Sequence, residues 1–166
     1  MRAIVTHALE FGAVLSGVLF GLLLAVLRAN PEIMLNDYPP DIRAKWGPMT
    51  ERTKRQRVIV ALLMSVVILA IAAWSIRSLP TLVAGDVTFA AAFTHFAVMF
   101  GIFNLFDWLL LDWPMVYWQP RFVVLPGTEG LAGYTNYWFH FRGFLIGIPV
   151  VLAGSALFAA IAAAVV

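Results

Sequence analysis

Four apolar segments, residues 8–28, 58–79, 87–111 and 143–166, run through a chain of only 166 residues. Each meets or exceeds the ~20 residues that a helix needs to cross ~30 Å of hydrocarbon. Little chain remains between them for a separate soluble unit. The spacing therefore predicts a single membrane domain over 1–166, an all-α integral membrane protein built as a four-transmembrane-helix bundle. The segments are rich in Leu, Ala, Val and Phe without alternating polarity, which argues against barrel strands. Composition agrees, since 62% hydrophobic and 12% charged residues lie well outside the balance of a soluble domain. Only Arg2 precedes the first segment, and its end, LRANPEI, lacks a small-residue cleavage site, so it reads as a retained helix and not a signal peptide. The absence of cysteine excludes disulfides, thiolate ligands and thiol catalysis.

Basic residues set the expected orientation. Seven of the eleven, Arg28, Arg43, Lys45, Arg52, Lys54, Arg55 and Arg57, lie in or beside the connection after the first segment. The positive-inside rule then places both long connections, 29–57 and 112–142, in the cytoplasm, with the N and C termini and the short 78–86 link outside. Trp46, Trp108, Trp113, Trp118 and Trp138 fall on the same cytoplasmic side, where amphipathic rings favour the headgroup level. The basic run 52–57 should also attract anionic membrane lipids. Nucleic acid is not an expected partner, because the basic residues are few and interspersed with Glu32, Asp37, Asp41 and Glu51.

The third segment ends in GIFNLFDWLLLDW, residues 101–113, where Asn104, Asp107 and Asp112 interrupt the apolar run. Asn104 and Asp107 are three residues apart and share a helical face. If the helix ends near Asp112, Asp107 lies about 7.5 Å inside the boundary, too deep for a short side chain to reach water unaided. An aspartate at a span centre costs ~2.5–3.5 kcal/mol on insertion scales, and somewhat less at this depth. Three arrangements relieve that cost: a clasp with Arg142 or Arg121, a ligand or catalytic site, or a protonated carboxyl bonded to Asn104. Asp112, followed by Trp113-Pro114, reads as a helix end.

Aromatic and aliphatic residues dominate the connection 113–142, so it should form an aromatic interfacial flap folded over the cytoplasmic end of the bundle. Its LPGTEG core contains a Pro-Gly turn that aims Thr128 and Glu129. It matches neither phosphate-binding glycine pattern and differs from the sortase signal at Glu129. His140, beside Arg142, reads chiefly as a member of the aromatic belt. The candidate ligand-binding residues are therefore Asn104, Asp107, Glu129, His140 and Arg142.

No metal site is expected. His7 and Glu10 form an HxxE pair, and with His95 they are the weak candidates for a divalent ion. Packing histidines held by hydrogen bonds are the favoured reading. Small residues recur every fourth position at Ala13, Gly17, Gly21 and Ala25, and again at Gly143 and Gly147. They suit close packing between spans of one chain, or a homo-oligomer seam through Gly17, Gly21, Gly143 and Gly147. Pro149, inside the fourth segment, predicts a kink or local opening.

The runs FNLFDWLLLDW, PRFVVLPGTEG and NYWFHFRGFLIG, together with NPEIMLNDYPPDI, resemble a group of small four-span bacterial membrane proteins. The resemblance implies a bacterial cytoplasmic (inner) membrane location and carries no activity, cofactor or catalytic residue. Three function classes fit the residues. The favoured one is a non-catalytic binding or accessory module whose polar pocket at the cytoplasmic face takes a lipidic or amphipathic small ligand or a partner subunit. A membrane enzyme acting on a lipid headgroup or isoprenoid needs several converging deep ionisable groups, and only Asp107 is securely deep. An oligomeric small-solute or proton-coupled transporter should show internal repeats, and the two halves do not mirror each other.

Overall fold

The computed structural model describes residues 1–83 and 86–165, and of Met115 and Val116 the backbone alone. Ala84 and Gly85 of the 78–86 link, and Val166 at the end of the fourth segment, lie outside the described residues. The chain is all-helical, 84% in helix, with no strand among the described residues. In chain order the α-helices are α1 (Arg2–Ala29), α2 (Pro40–Trp46), α3 (Glu51–Ser78), α4 (Phe89–Asp107), α5 (Trp113–Trp118) and α6 (Tyr137–Val165). Of these, α1, α3, α4 with its continuation, and α6 are long and apolar enough to cross a membrane.

Local chemistry sets the helix ends. α1 stops at Asn30, whose extended backbone leads into Pro31, a residue with no N–H to continue the ladder. α3 starts where the Thr50 hydroxyl accepts from the Thr53 N–H at 3.3 Å, and α4 where Thr88 accepts from Ala91 at 3.3 Å. The Asn136 side chain accepts from the Phe139 N–H at 3.0 Å as α6 begins. α6 then remains one helix through Pro149.

α4 is the central helix, packed between α1 and α6, with α3 leaning on α1. The core joins Leu15 and Leu19 of α1, Ile71, Ala72 and Ile76 of α3, Ala92, Phe96 and Met99 of α4, and Ala159 and Ala162 of α6. Phe96, Phe100 and Phe158 pack together there at centroid distances of 5.3 to 5.7 Å. A close approach between α1 and α4 is made at Gly12, against Met99 and Ile102, on a different face from the one the four-residue spacing suggests. Ala13, Gly17, Gly21 and Ala25 are exposed, and open space surrounds Gly17 and Gly21. That stripe therefore does not pack spans of one chain together. In α6 the two glycines divide: Gly147 abuts the Asn104 amide, whereas Gly143 faces open space.

Both long connections lie at one end and fold on each other. Leu35, Tyr38 and Ile42 from the first pack with Leu125 and Tyr134 from the second, and Val123 is buried against Leu23, Leu27 and Leu111 of the helix ends. Polar contacts lock this cap. The Tyr38 hydroxyl donates to the Val123 carbonyl at 2.6 Å, the Leu125 N–H to the Tyr134 hydroxyl at 2.9 Å, and the Gly133 N–H to the Asp41 carboxylate at 2.8 Å. Burial pushes the Tyr38 phenol well above its ordinary value of 10.0, so it stays an O–H donor. The Arg28 guanidinium lies 4.5 Å over the Phe122 ring.

The third helix does not end at Asp112. Residues Trp108–Asp112 form a π-turn in which the Trp113 N–H reaches the Trp108 carbonyl, and α5 carries the helix on to Trp118. Pro114 accounts for the irregularity. It has no N–H for the ladder, and its ring would crowd the carbonyl four residues back in an ordinary α-turn. The wider π-turn relieves both problems.

A polar cleft beneath the cap

The π-turn also builds the site. At about 100° per residue, an uninterrupted α-helix would put Asp112 about 140° round from Asp107. A turn closed by an i→i+5 bond brings residues five apart back toward one face. Asp107 and Asp112 consequently line the same cleft of about 430 Å³, which lies between α4, α6 and the first connection. Asn36, Asp37 and Tyr38 form its wall under the cap, Asn104 lies deeper along α4, and His140 and Arg142 come from the first turns of α6.

Most of the polar groups are paired. The Asp112 carboxylate meets His140 Nδ1 at 2.9 Å, and His140 is buried, not part of an exposed aromatic belt. Asp37 lies 3.7 Å from the Arg57 guanidinium. Asn104 Nδ2 donates to the Phe144 carbonyl at 3.2 Å, which ties α4 to α6 where Gly147 leaves room for the amide. Asp107 differs from these. It accepts no hydrogen bond and joins no ion pair among the described residues. Arg142 shares the cleft with Asp107 but is exposed and makes no clasp with it. Arg121 is exposed and does not line the cleft.

Four of the five expected ligand residues, Asn104, Asp107, His140 and Arg142, thus meet in one place. Glu129 does not join them. It is exposed in its turn, its carboxylate accepting from the Gly127 N–H at 3.0 Å. Bonds from the backbone amides of Glu129 and Gly127 hold that carboxyl below the ordinary glutamate range. Thr128 turns inward and donates to the Leu125 carbonyl at 2.7 Å. Sequence reasoning missed Asn36, Asp37 and Tyr38. The consecutive prolines after Tyr38 marked a turn there, but nothing local said that it would cover Asp107.

Below Asp107 lies a second cavity of about 260 Å³ between α1, α3 and α4. It shares Leu23, Met34, Asp107 and Leu111 with the polar cleft, and Phe20, Met64, Phe103 and Phe106 make its walls apolar.

At the opposite end of the bundle, His7 and His95 come together, with their Nδ1 atoms 3.5 Å apart. Their Nε2 atoms bond to Ser78 at 2.9 Å and Ser75 at 3.1 Å respectively. Glu10 is exposed. No group of three or more His, Cys, Asp or Glu side chains among the described residues is arranged to hold a metal. Comparison with protein-family models, with curated proteins and with solved structures yields no match. The chemistry of the cleft therefore rests on its geometry.

Proposed function

We propose that this chain is a membrane-embedded, non-catalytic binding module that holds an amphipathic small molecule in the cleft around Asp107. The observation that carries the reading is a half-buried carboxylate without a protein partner among the described residues, lining a cleft beneath the cap and beside an apolar cavity. Leaving a charged group unpartnered at such a position is costly, and functional charges are commonly held at that cost. An enzyme gains less support, because Asp112 and His140 are engaged with each other and Glu129 lies outside the cleft.

The test is Asp107→Asn, followed by thermal unfolding in mild detergent and native mass spectrometry of the purified protein. Stability should hold or rise, while any copurifying amphiphile is lost. A fall of several degrees with ligand retention unchanged would make Asp107 a structural residue and end the proposal.

In the membrane, the module crosses four times with both termini outside the bacterial inner membrane and its cap in the cytoplasm. The basic residues of the capped end support this orientation. The exposed apolar faces of α3, including Val58, Ile59, Leu62 and Val66, and of α6, including Val150 and Leu157, suit contact with lipid. Cysteines placed singly at the exposed positions Ala44 and Glu129 should resist an impermeant thiol reagent in intact cells and react once the cells are opened. Labelling in intact cells at either position would reverse the topology. Gly17 and Gly21, with open space around them, remain the proposed seam for a second copy.

A further inference from the structure

The two cavities meet at Asp107, and their linings differ. The upper cleft presents three carboxylates, Asp37, Asp107 and Asp112, against one arginine, Arg142. Asp37 and Asp112 have cationic or imidazole neighbours and Arg142 is exposed, so Asp107 is the cleft carboxylate left without a partner among the described residues. The lower chamber is walled by Phe, Met and Leu, and a single polar side chain of α1 lines it. That residue is Ser16, which is fully buried and whose hydroxyl has no hydrogen-bond partner. Apart from Ser16 and the shared Asp107 the lining is apolar, the surface that an alkyl chain covers favourably. At about 260 Å³ the chamber lies just below the usual range of about 300–1,000 Å³ for ligand sites, and it takes one slender chain and not two.

Building on the reading of the cleft as an amphiphile site, we infer that its ligand is a single-chain alkylammonium: a cationic head set against Asp107, and one apolar chain lying in the chamber between α1, α3 and α4. A head bearing N–H groups finds an acceptor in Asp107, with the Asn36 amide on the same wall, and Tyr38, Tyr134 and Phe144 supply aromatic surface for a methylated one. An anionic head seated at Asp107 would face a carboxylate that no protein cation among the described residues neutralises. Met34 and Leu23 line both cavities, so head and chain pass the same two side chains.

The probes are dodecylammonium, dodecyltrimethylammonium, dodecyl sulfate and methylammonium, added to the full chain in non-ionic detergent and read by native mass spectrometry. The wild type should bind one dodecylammonium or dodecyltrimethylammonium; the preference between them reports whether hydrogen bonds or aromatic contact dominate the head site. Dodecyl sulfate and the chainless methylammonium should not bind. Asp107→Asn should weaken binding about tenfold or more, the loss of one charge-assisted contact. Ser16→Leu, which fills the chamber and removes the orphaned hydroxyl, should weaken it comparably while leaving thermal stability equal or higher. Dodecyl sulfate bound in place of the cations would overturn the cationic assignment and leave the amphiphile site standing. Cation binding indifferent to both substitutions would overturn the assignment of head and chain to these cavities. If no chain-bearing probe binds and no amphiphile copurifies with the wild type, the amphiphile site itself falls.

Discussion

Glu32→Ala is expected to remove about 2–3 kcal/mol of stability, because it strands the buried Thr53 hydroxyl and takes the acceptor from two part-buried donors of Thr50. Glu32 is buried beside the start of α3. One carboxylate oxygen accepts from the Thr50 N–H at 2.7 Å, and the other from the Thr53 hydroxyl at 2.6 Å and the Thr50 hydroxyl at 3.2 Å. Asn30 extends the network, donating to Thr53 at 3.1 Å and to Gln56 at 2.9 Å while its side-chain oxygen accepts from the Glu32 N–H at 3.1 Å. The carboxylate also sits where a helix start favours negative charge. Burial opposes ionisation, but the Thr53 and Thr50 donors outweigh it and hold the carboxyl below its ordinary value of 4.5. A lowered folded-state value means that the ionised carboxylate stabilises the fold above about pH 4.5, and that this contribution disappears as pH falls through the folded value. Glu32→Gln, which keeps one acceptor, should lose less than the alanine variant and flatten the acid limb of the stability profile. Thermal unfolding across pH 3 to 7 reads both effects. An alanine variant as stable as the wild type would mean that the first connection docks without this network.

Gly12→Leu should be the most damaging single change in α1, costing about 3 kcal/mol or more through overpacking. A Cβ at Gly12 would lie 3.1 Å from the Met99 carbonyl oxygen, 3.3 Å from the Met99 Cα and 3.2 Å from the Ile102 Cβ. Two of those atoms are backbone, so relief requires α1 and α4 to part, loosening Leu15 and Leu19 from Phe96 and Met99. Gly17→Leu and Gly21→Leu meet open space and should change monomer stability by no more than about 0.5 kcal/mol. Chemical-denaturation midpoints of the three variants provide the comparison. Equal loss at all three positions would contradict the packing of α1 on α4. Dissociation of a dimer by Gly17→Leu without loss of fold would identify the proposed seam.

The number of long helices and their approximate bounds were legible because hydrophobic length is local and additive: each apolar run declares itself without reference to the others. A helix cap such as Thr50 is local in the same way, since it acts within one turn. The shared face of Asn104 and Asp107 also followed from helical spacing alone. The folding back of the second connection was legible only in part, since Val123, Leu125 and Tyr134 are buried whereas Tyr117, Trp118 and Trp138 stay exposed. Asp112 escaped this reasoning because a periodicity argument assumes one turn geometry, and the π-turn before Pro114 breaks that assumption in the stretch that forms the site. Glu32 looked like an acid among surface bases. Its role depends on a chain reversal that brings it against Thr50 and Thr53, a contact between elements that neither segment encodes by itself. The glycines make the same point. Gly12 and Gly17 are equally small, and only the docking of α1 on α4 decides which of them touches a backbone and which faces outward. Sequence alone thus determined the all-helical, lipid-compatible framework through short-range physics. Tertiary packing decided what surrounds Asp107, because that environment is assembled from α4, α6 and a connection some seventy residues away along the chain.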